Sequence, residues 1–595
     1  MAKTIRIGCA SGFYGDSQLS ARQLVDKGDI DYLVFDYLAE ITMAILAKAR
    51  SRDDNLGFAI DFVTVAMKDV LADCAAKGIK VVANAGGVNV PACIQALQQL
   101  CADQGLDLKI GGVDGDNLMG REDLPVADMS ENQTGDALPD KLASMNAYLG
   151  ARPIADALAA GADVVVTGRV VDSAVMLGPL IHEFGWAEDD YDQLAQGSLC
   201  GHVIECGAQC TGGNYTDWHT VPDFSDISYP VAEVSEDGSF VIGIPRDTGG
   251  LATLGSVGEQ ILYEIGDPAN YLLPDVFCDF SHVQLEQVAE NQVRVSGARG
   301  RAPGDKYKVC ATWRDGFQIK GSVMIGGLRA LDKAKTDMEA WIKRVRRHYA
   351  ANGIADFREV DLEYFGVEHT YGPHANPALQ ATREVVAKFG LHHDDPVALQ
   401  FAANEMVYLG TSGVPGFYGL GGGRARPGGL MRVHSALIDK SLVPVTVQVG
   451  SETIADKTYL TGASEPTAKV KMSVAVVEPR VEPAAETTQV PLEALAFARS
   501  GDKGNNANIG VMARRPEYLP YIHEQVTAQA VEDYFAHLVH GEVERFELPG
   551  FGAFNFFMTE ALGGGGSASL RTDAQGKSMA QQLLSLPITV PVDLL

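Results

Sequence analysis

Acidic, amide and glycine residues recur at one kind of place in the first 190 residues, immediately after short apolar runs. Ser11 and Gly12 follow the run Thr4–Cys9, Asp36 closes Asp31–Asp36, and Asn84, Gly86 and Gly87 close Ile79–Asn84. Asp114, Asp116 and Asn117 follow Leu106–Ile110, and Arg169, Asp172 and Ser173 follow Ala162–Thr167. Carboxylates grouped in this way can move protons, an arginine can hold an anion, and glycines bare backbone N–H groups to a ligand. Asp36, Asp114, Asp116 and Asp172 are therefore acid/base candidates. Ser11, Gly12, Asn84, Gly86, Gly87, Asn117, Arg169 and Ser173 are candidates for binding substrate.

The positions of these residues follow from the elements around them. Apolar runs alternate with helical patterns, starting near Ser17, Glu40, Asn89 and Asp172, as in βαβ units. A parallel sheet gathers ligands outside the carboxyl ends of its strands, so five polar strand ends in succession predict one shared cleft. Singly, each Asp or Asn also fits a helix cap or a turn. The glycine spacing matches neither a dinucleotide fingerprint nor a phosphate-binding P-loop, and no redox or nucleotide cofactor is expected.

Two further clusters carry chemistry. Arg499-Ser500-Gly501-Asp502-Lys503-Gly504-Asn505 opens the last part of the chain, and reads as a polar loop able to bind an anion or to dock a domain. Arg499, Ser500, Asp502, Lys503 and Asn505 join the substrate-binding candidates. His202, Glu205, Cys206 and Cys210 offer a base, a thiol and ligand atoms, although cysteines flanked by Gly-Ala-Gln are more often buried small hydrophobes than thiolates. No metal is expected at either cluster, because the Cys206–Cys210 spacing is not that of a zinc half-site.

The net charge of −29 argues against nucleic acid and acidic membranes as partners. Nine cysteines without a CxxC pair suit a reducing compartment. The apolar runs are short of a membrane span, and the N-terminus reads directly into a strand rather than as a signal peptide. A cytoplasmic homo-oligomer is the expectation for an acidic, glycine-rich chain of 595 residues.

The organisation expected is α/β. Residues 1–195 form a mostly parallel sheet of βαβ units, and 196–473 a mixed α+β region completing the core. A linker spans 474–491, and 492–595 form a small α+β domain of ferredoxin-like, βαββαβ pattern. Within these, Pro377–Phe389 reads as a helix with proline in its first turn.

In order along the chain, Ile7-Gly-Cys-Ala-Ser-Gly-Phe-Tyr-Gly-Asp16, Asp36-Tyr-Leu-Ala-Glu40, Asn84-Ala-Gly-Gly87 and Thr167-Gly168-Arg169 with Asp172-Ser173 resemble the acyclic terpene utilisation family. So do Cys206-Gly-Ala-Gln-Cys-Thr-Gly-Gly-Asn214 and Ser500-Gly-Asp-Lys-Gly-Asn505. The resemblance covers essentially the whole chain. It implies a place in the catabolism of citronellol, geraniol and other branched acids through CoA thioesters. The expected activity is that of a hydratase or lyase on an acyl-CoA, with coenzyme A as part of the substrate. A non-catalytic subunit for an acyl-CoA carboxylase or dehydrogenase, and a CoA-thioester hydrolase, are the alternatives.

Overall fold

The computed structural model describes residues 3–419, 423–460 and 486–595. Six strands of the first part are named here: β1 (Thr4–Cys9), β2 (Tyr32–Phe35), β3 (Lys80–Ala83), β4 (Ile110–Asp114), β5 (Leu142–Ala147) and β6 (Val164–Thr167). The parallel centre runs β1-β2-β3-β6-β4, so β6 returns between β3 and β4. β2 and β6 are buried along their whole length, as strands covered by helices on both faces must be. One apolar cluster packs helices Ser20–Lys27 and Val90–Gln104 on one face. Another packs Ala174–Phe184 and Tyr191–Ile204 on the opposite face.

The sheet reaches 11 strands by antiparallel additions at both edges. Val231–Ser235, Phe240–Gly243, Gln292–Ser296 and Gln284–Ala289 extend it beyond β1, and Val445–Val449 and Glu452–Lys457 extend it beyond β4. Residues on both sides of 195/196 therefore share one sheet, and that boundary falls inside helix Tyr191–Ile204. A second sheet is built on the 21-residue strand Lys306–Gly326, which pairs β5, Glu384–His393, Phe417–Gly419 and Gly428–Asp439.

The last described segment, 486–595, holds an antiparallel sheet in the order Ala496–Lys503, Asn506–Ala513, Ala553–Met558, Val543–Leu548. Its elements run hairpin, helices Leu519–Gln525 and Ala528–Tyr534, then a second hairpin. They do not follow the βαββαβ succession expected. Of the expected linker, residues 474–485 lie outside the described residues, and Thr487–Pro491 is a strand paired with Pro587–Pro591. Residues 420–422 of the glycine run 419–429 also lie outside them.

Several local expectations are corrected. The fourth strand is Ile110–Asp114 rather than Leu106–Ile110; Gly111 and Gly112 are strand residues because a Cβ at Gly112 would collide with Ile94 of the helix above. Pro377–Phe389 is a short turn, Pro377–Ala381, followed by strand Glu384–His393, of which residues 386–392 are held by strands on both sides. Ser17 does not cap the first helix, which begins at Ser20. The polar stretch from Arg499 is not a loop: it lies in two paired strands turning at Gly504, where φ is +66°.

Candidate functional site

Asp36 is the first residue after β2 and Asn84 the first after the adjacent β3. The Asn84 amide donates to the Asp36 carboxylate at 2.6 Å, while its oxygen accepts the Tyr37 N–H at 2.7 Å. Ser11, beyond β1, donates from Oγ to the Asp36 carbonyl at 3.1 Å. Three neighbouring strand ends thus fix one buried carboxylate.

Asp172 and Glu205 complete a trio with Asp36, one oxygen from each lying within 4.8 Å of the others. Asp172 comes from the loop after β6, and Glu205 ends helix Tyr191–Ile204. His202, one turn earlier, faces Glu205 through Nδ1 at 3.3 Å and the Ile261 carbonyl through Nε2 at 3.2 Å. Burial, then the neighbouring Asp172 and Glu205 charges, push Asp36 well above the usual carboxylate range. Burial also raises Glu205, with His202 opposing it. Three carboxylates at this spacing can share a proton or hold a divalent cation.

Arg169 stands beside the trio. Its Nη1 donates to Asp172 at 2.6 Å and to the Leu38 carbonyl at 2.7 Å, and its guanidinium lies 4.0 Å from the Tyr148 ring centre. Tyr148 donates its hydroxyl to Glu40 at 2.6 Å, and Lys308 reaches Glu40 at 3.3 Å. Burial works to raise Glu40, but Lys308 and Arg169 outweigh it and hold that carboxyl well below its ordinary range.

The C-terminal hairpin closes over this edge. Lys503 lies with its ammonium 5.8 Å from the Tyr271 ring centre, and Tyr271 packs against His202 at 5.7 Å between ring centres. Lys577 bridges Glu264 at 2.9 Å and Asp502 at 3.7 Å, and also contacts the Tyr263 hydroxyl. Burial and Glu264 raise Asp502 to about 6.

Other candidates take different places. Asp116 accepts the Arg169 backbone N–H at 2.9 Å and the Asn146 amide at 2.7 Å, and burial first of all raises it to about 7. It holds the 167–169 loop, and Gly168 leaves it the room, since a Cβ there would overlap the Asp116 carboxylate. Asp114 accepts the Gly115 N–H at 2.8 Å and Asn117 the Met119 N–H at 3.0 Å, both local turns. Gly12 lets the first loop abut Cys206, whose backbone would lie 2.8 Å from a Cβ. Gly86 donates to the Thr167 carbonyl at 2.9 Å, and Gly87 turns the chain at φ +55°. Ser173 is buried under Gly201.

Burial raises the thiols of Cys206 and Cys210, the latter to about 12, so neither is set up as a thiolate nucleophile. Arg499 is buried against Glu259, Ser500 donates to the Gly576 carbonyl at 2.6 Å, and Asn505 accepts the Gly564 N–H at 2.6 Å. Arg499 fastens the small domain to the main body, and Ser500 and Asn505 tie turns within that domain. Sequence reasoning missed Glu40, Tyr148, Tyr271, Lys308 and Lys577 as site residues. Glu40 begins a helix, and the others come from elements brought in by long-range packing, so only the quoted Asp36–Glu40 run hinted at any of them.

Residues 5–449 match the family model described as acyclic terpene utilisation family protein AtuA. Residues 490–589 match the AtuA ferredoxin-like domain. No curated protein and no solved structure matches the chain. No helix among the described residues is long and apolar enough to cross a membrane. With well over half of its length matched in one span, the chain belongs to the AtuA family of acyclic terpene utilisation, and a role in that utilisation follows from its membership.

Proposed function

We propose that this protein is a general acid–base enzyme acting on a branched, unsaturated acyl-CoA, as a hydratase or lyase. The observation that carries the reading is the trio Asp36, Asp172 and Glu205, one oxygen from each within 4.8 Å of the others, with the Asp36 and Glu205 carboxyls raised first of all by burial. Carboxyls displaced upward can take and give protons near neutral pH. In hydration, one carboxylate takes a proton from water as its oxygen bonds the β-carbon. The electrons of the double bond move toward the thioester oxygen, and a protonated neighbour delivers a proton to the α-carbon. In this reading Lys503 stabilises the negative charge that grows on the thioester oxygen. Proton transfer of this kind requires no redox carrier, and coenzyme A enters with the substrate.

The test is incubation with branched 2-enoyl-CoA esters in H₂¹⁸O and, separately, D₂O, followed by mass spectrometry. Incorporation of label that disappears in Asp36→Asn is expected; unlabelled esters across the whole set would sink the reading. Prior dialysis against EDTA separates two uses of the trio. Labelling that persists keeps the carboxylates as proton carriers, and labelling lost to EDTA but restored by Mg²⁺ or Mn²⁺ reassigns them as metal ligands.

A further inference from the structure

Arg169 is held on nearly every side. Asp116 takes its backbone N–H, Leu38 and Asp172 take Nη1, and the Tyr148 ring lies beneath the guanidinium. The side chain is 3% exposed. Nε is buried with no acceptor, and Nη2 has no hydrogen-bond partner among the described residues. Nε and Nη2 lie along one edge of a guanidinium, the edge that meets a planar two-oxygen acceptor with two parallel hydrogen bonds. A buried donor is ordinarily satisfied in the working state, and this one belongs to a side chain that already touches the carboxylate trio.

We infer that this free edge of Arg169 is a receptor for a carboxylate on the acyl part of the substrate. The inference rests on the acyl-CoA reading above and narrows it: the substrate class is the mono-CoA ester of a dicarboxylic acid. The thioester carbonyl offers a single oxygen and suits Lys503 better. A phosphate dianion fits poorly, because Asp172 and Glu40 already lie beside Arg169 and add repulsion for each further charge. A single carboxylate adds one charge, and Lys308 partly offsets Glu40. Tyr148 and the two acceptors on Nη1 fix the guanidinium before the ligand arrives, so little freedom is lost on binding.

The experiment compares glutaryl-CoA with pentanoyl-CoA, equal in chain length and differing in the terminal carboxylate, by calorimetry on the full-length protein. Tighter binding of glutaryl-CoA by about tenfold or more is expected, as for a charge-assisted bidentate pair. In Arg169→Lys, which keeps the charge and loses the fork, the preference should fall to within about threefold of unity. A merely structural role would weaken both esters together and leave their ratio unchanged. Equal affinities in the wild type overturn the inference and leave the acyl-CoA reading standing, and this arm needs no variant to fold. Binding of neither ester overturns the acyl-CoA reading; free glutarate then decides, since binding lost in Arg169→Lys retains the receptor and no binding removes it. Inorganic phosphate competing as well as glutarate would also overturn the assignment of a carboxylate.

Discussion

The Arg499 guanidinium meets the Glu259 carboxylate at 2.9 Å, and both side chains are buried. Arg499 belongs to the C-terminal hairpin and Glu259 to helix Leu254–Leu262 of the main body. The same guanidinium reaches the Gln209 amide oxygen and the Gly213 carbonyl. Glu259 in turn accepts the Thr216 N–H at 3.0 Å. This ion pair fastens the domain that brings Lys503 to the Tyr271 ring, which itself packs on His202.

Removing one half of the pair should therefore be expensive. Arg499→Met leaves Glu259 buried without its counter-charge, and is expected to destabilise the protein by about 3 to 5 kcal/mol. The double change Arg499→Met with Glu259→Leu should recover much of that loss. Urea denaturation of the three variants checks it; equal stability of Arg499→Met and wild type would contradict the role.

Substituting the trio separates chemistry from folding. Asp36→Asn keeps the Asn84 donor an oxygen partner and should lower kcat by about 10²- to 10⁴-fold, as loss of a positioned acid or base does. Glu205→Gln should do the same while retaining a hydrogen-bonding group for His202. Because both carboxyls are raised, the acidic limb of the wild-type pH–rate profile should lie above the ordinary carboxylate range. A residual rate whose profile has lost that limb is expected in the variants.

Asp116 gives a stability signature. Its folded-state pKa of about 7 exceeds the unfolded value of about 4, so the folded protein keeps a proton that the unfolded chain releases. Stability from this group is fully present below about pH 4 and is lost as pH rises to about 7. Asp116→Asn should flatten that decline and leave the variant roughly 4 kcal/mol more stable than wild type at pH 8, relative to their difference at pH 4. Denaturant midpoints at the two pH values decide it; parallel curves would refute the assignment.

Gly12 tests how closely the first loop must approach Cys206. Gly12→Ala puts a methyl 2.8 Å from backbone carbon, which cannot rotate away. A cost of about 1 to 3 kcal/mol is expected, together with lower turnover as the Ser11–Asp36 contact opens. Thermal unfolding and kinetics on the same preparation measure both.

Local chemistry made much of this legible in the sequence. Apolar runs ending in Asp36, Asn84 and Thr167-Gly-Arg169 dictate strands whose polar residues begin where the sheet stops, and β2, β3 and β6 follow that rule. The Gly111-Gly112 pair misled because its glycines serve helix packing inside a strand rather than a turn. The stretch Arg499–Asn508 misled for a related reason: its polar side chains look solvent-bound, yet Arg499 and Asn508 are buried against partners from the other domain.

The sequence by itself determined the alternating elements, the polar strand ends and the separate C-terminal unit, since these depend on neighbours within about one element's length. Only the tertiary structure decided which carboxylates meet. Asp36, Asp172 and Glu205 are far apart in the chain, and they converge because β6 inserts beside β3 and a helix end is packed against the first loop. Asp114 and Asp116, which read identically in sequence, fall outside the trio, because β4 lies one strand further out and Asp116 turns toward the backbone of Arg169. Lys503 meets Tyr271 of the main body only through the buried contacts that dock its domain.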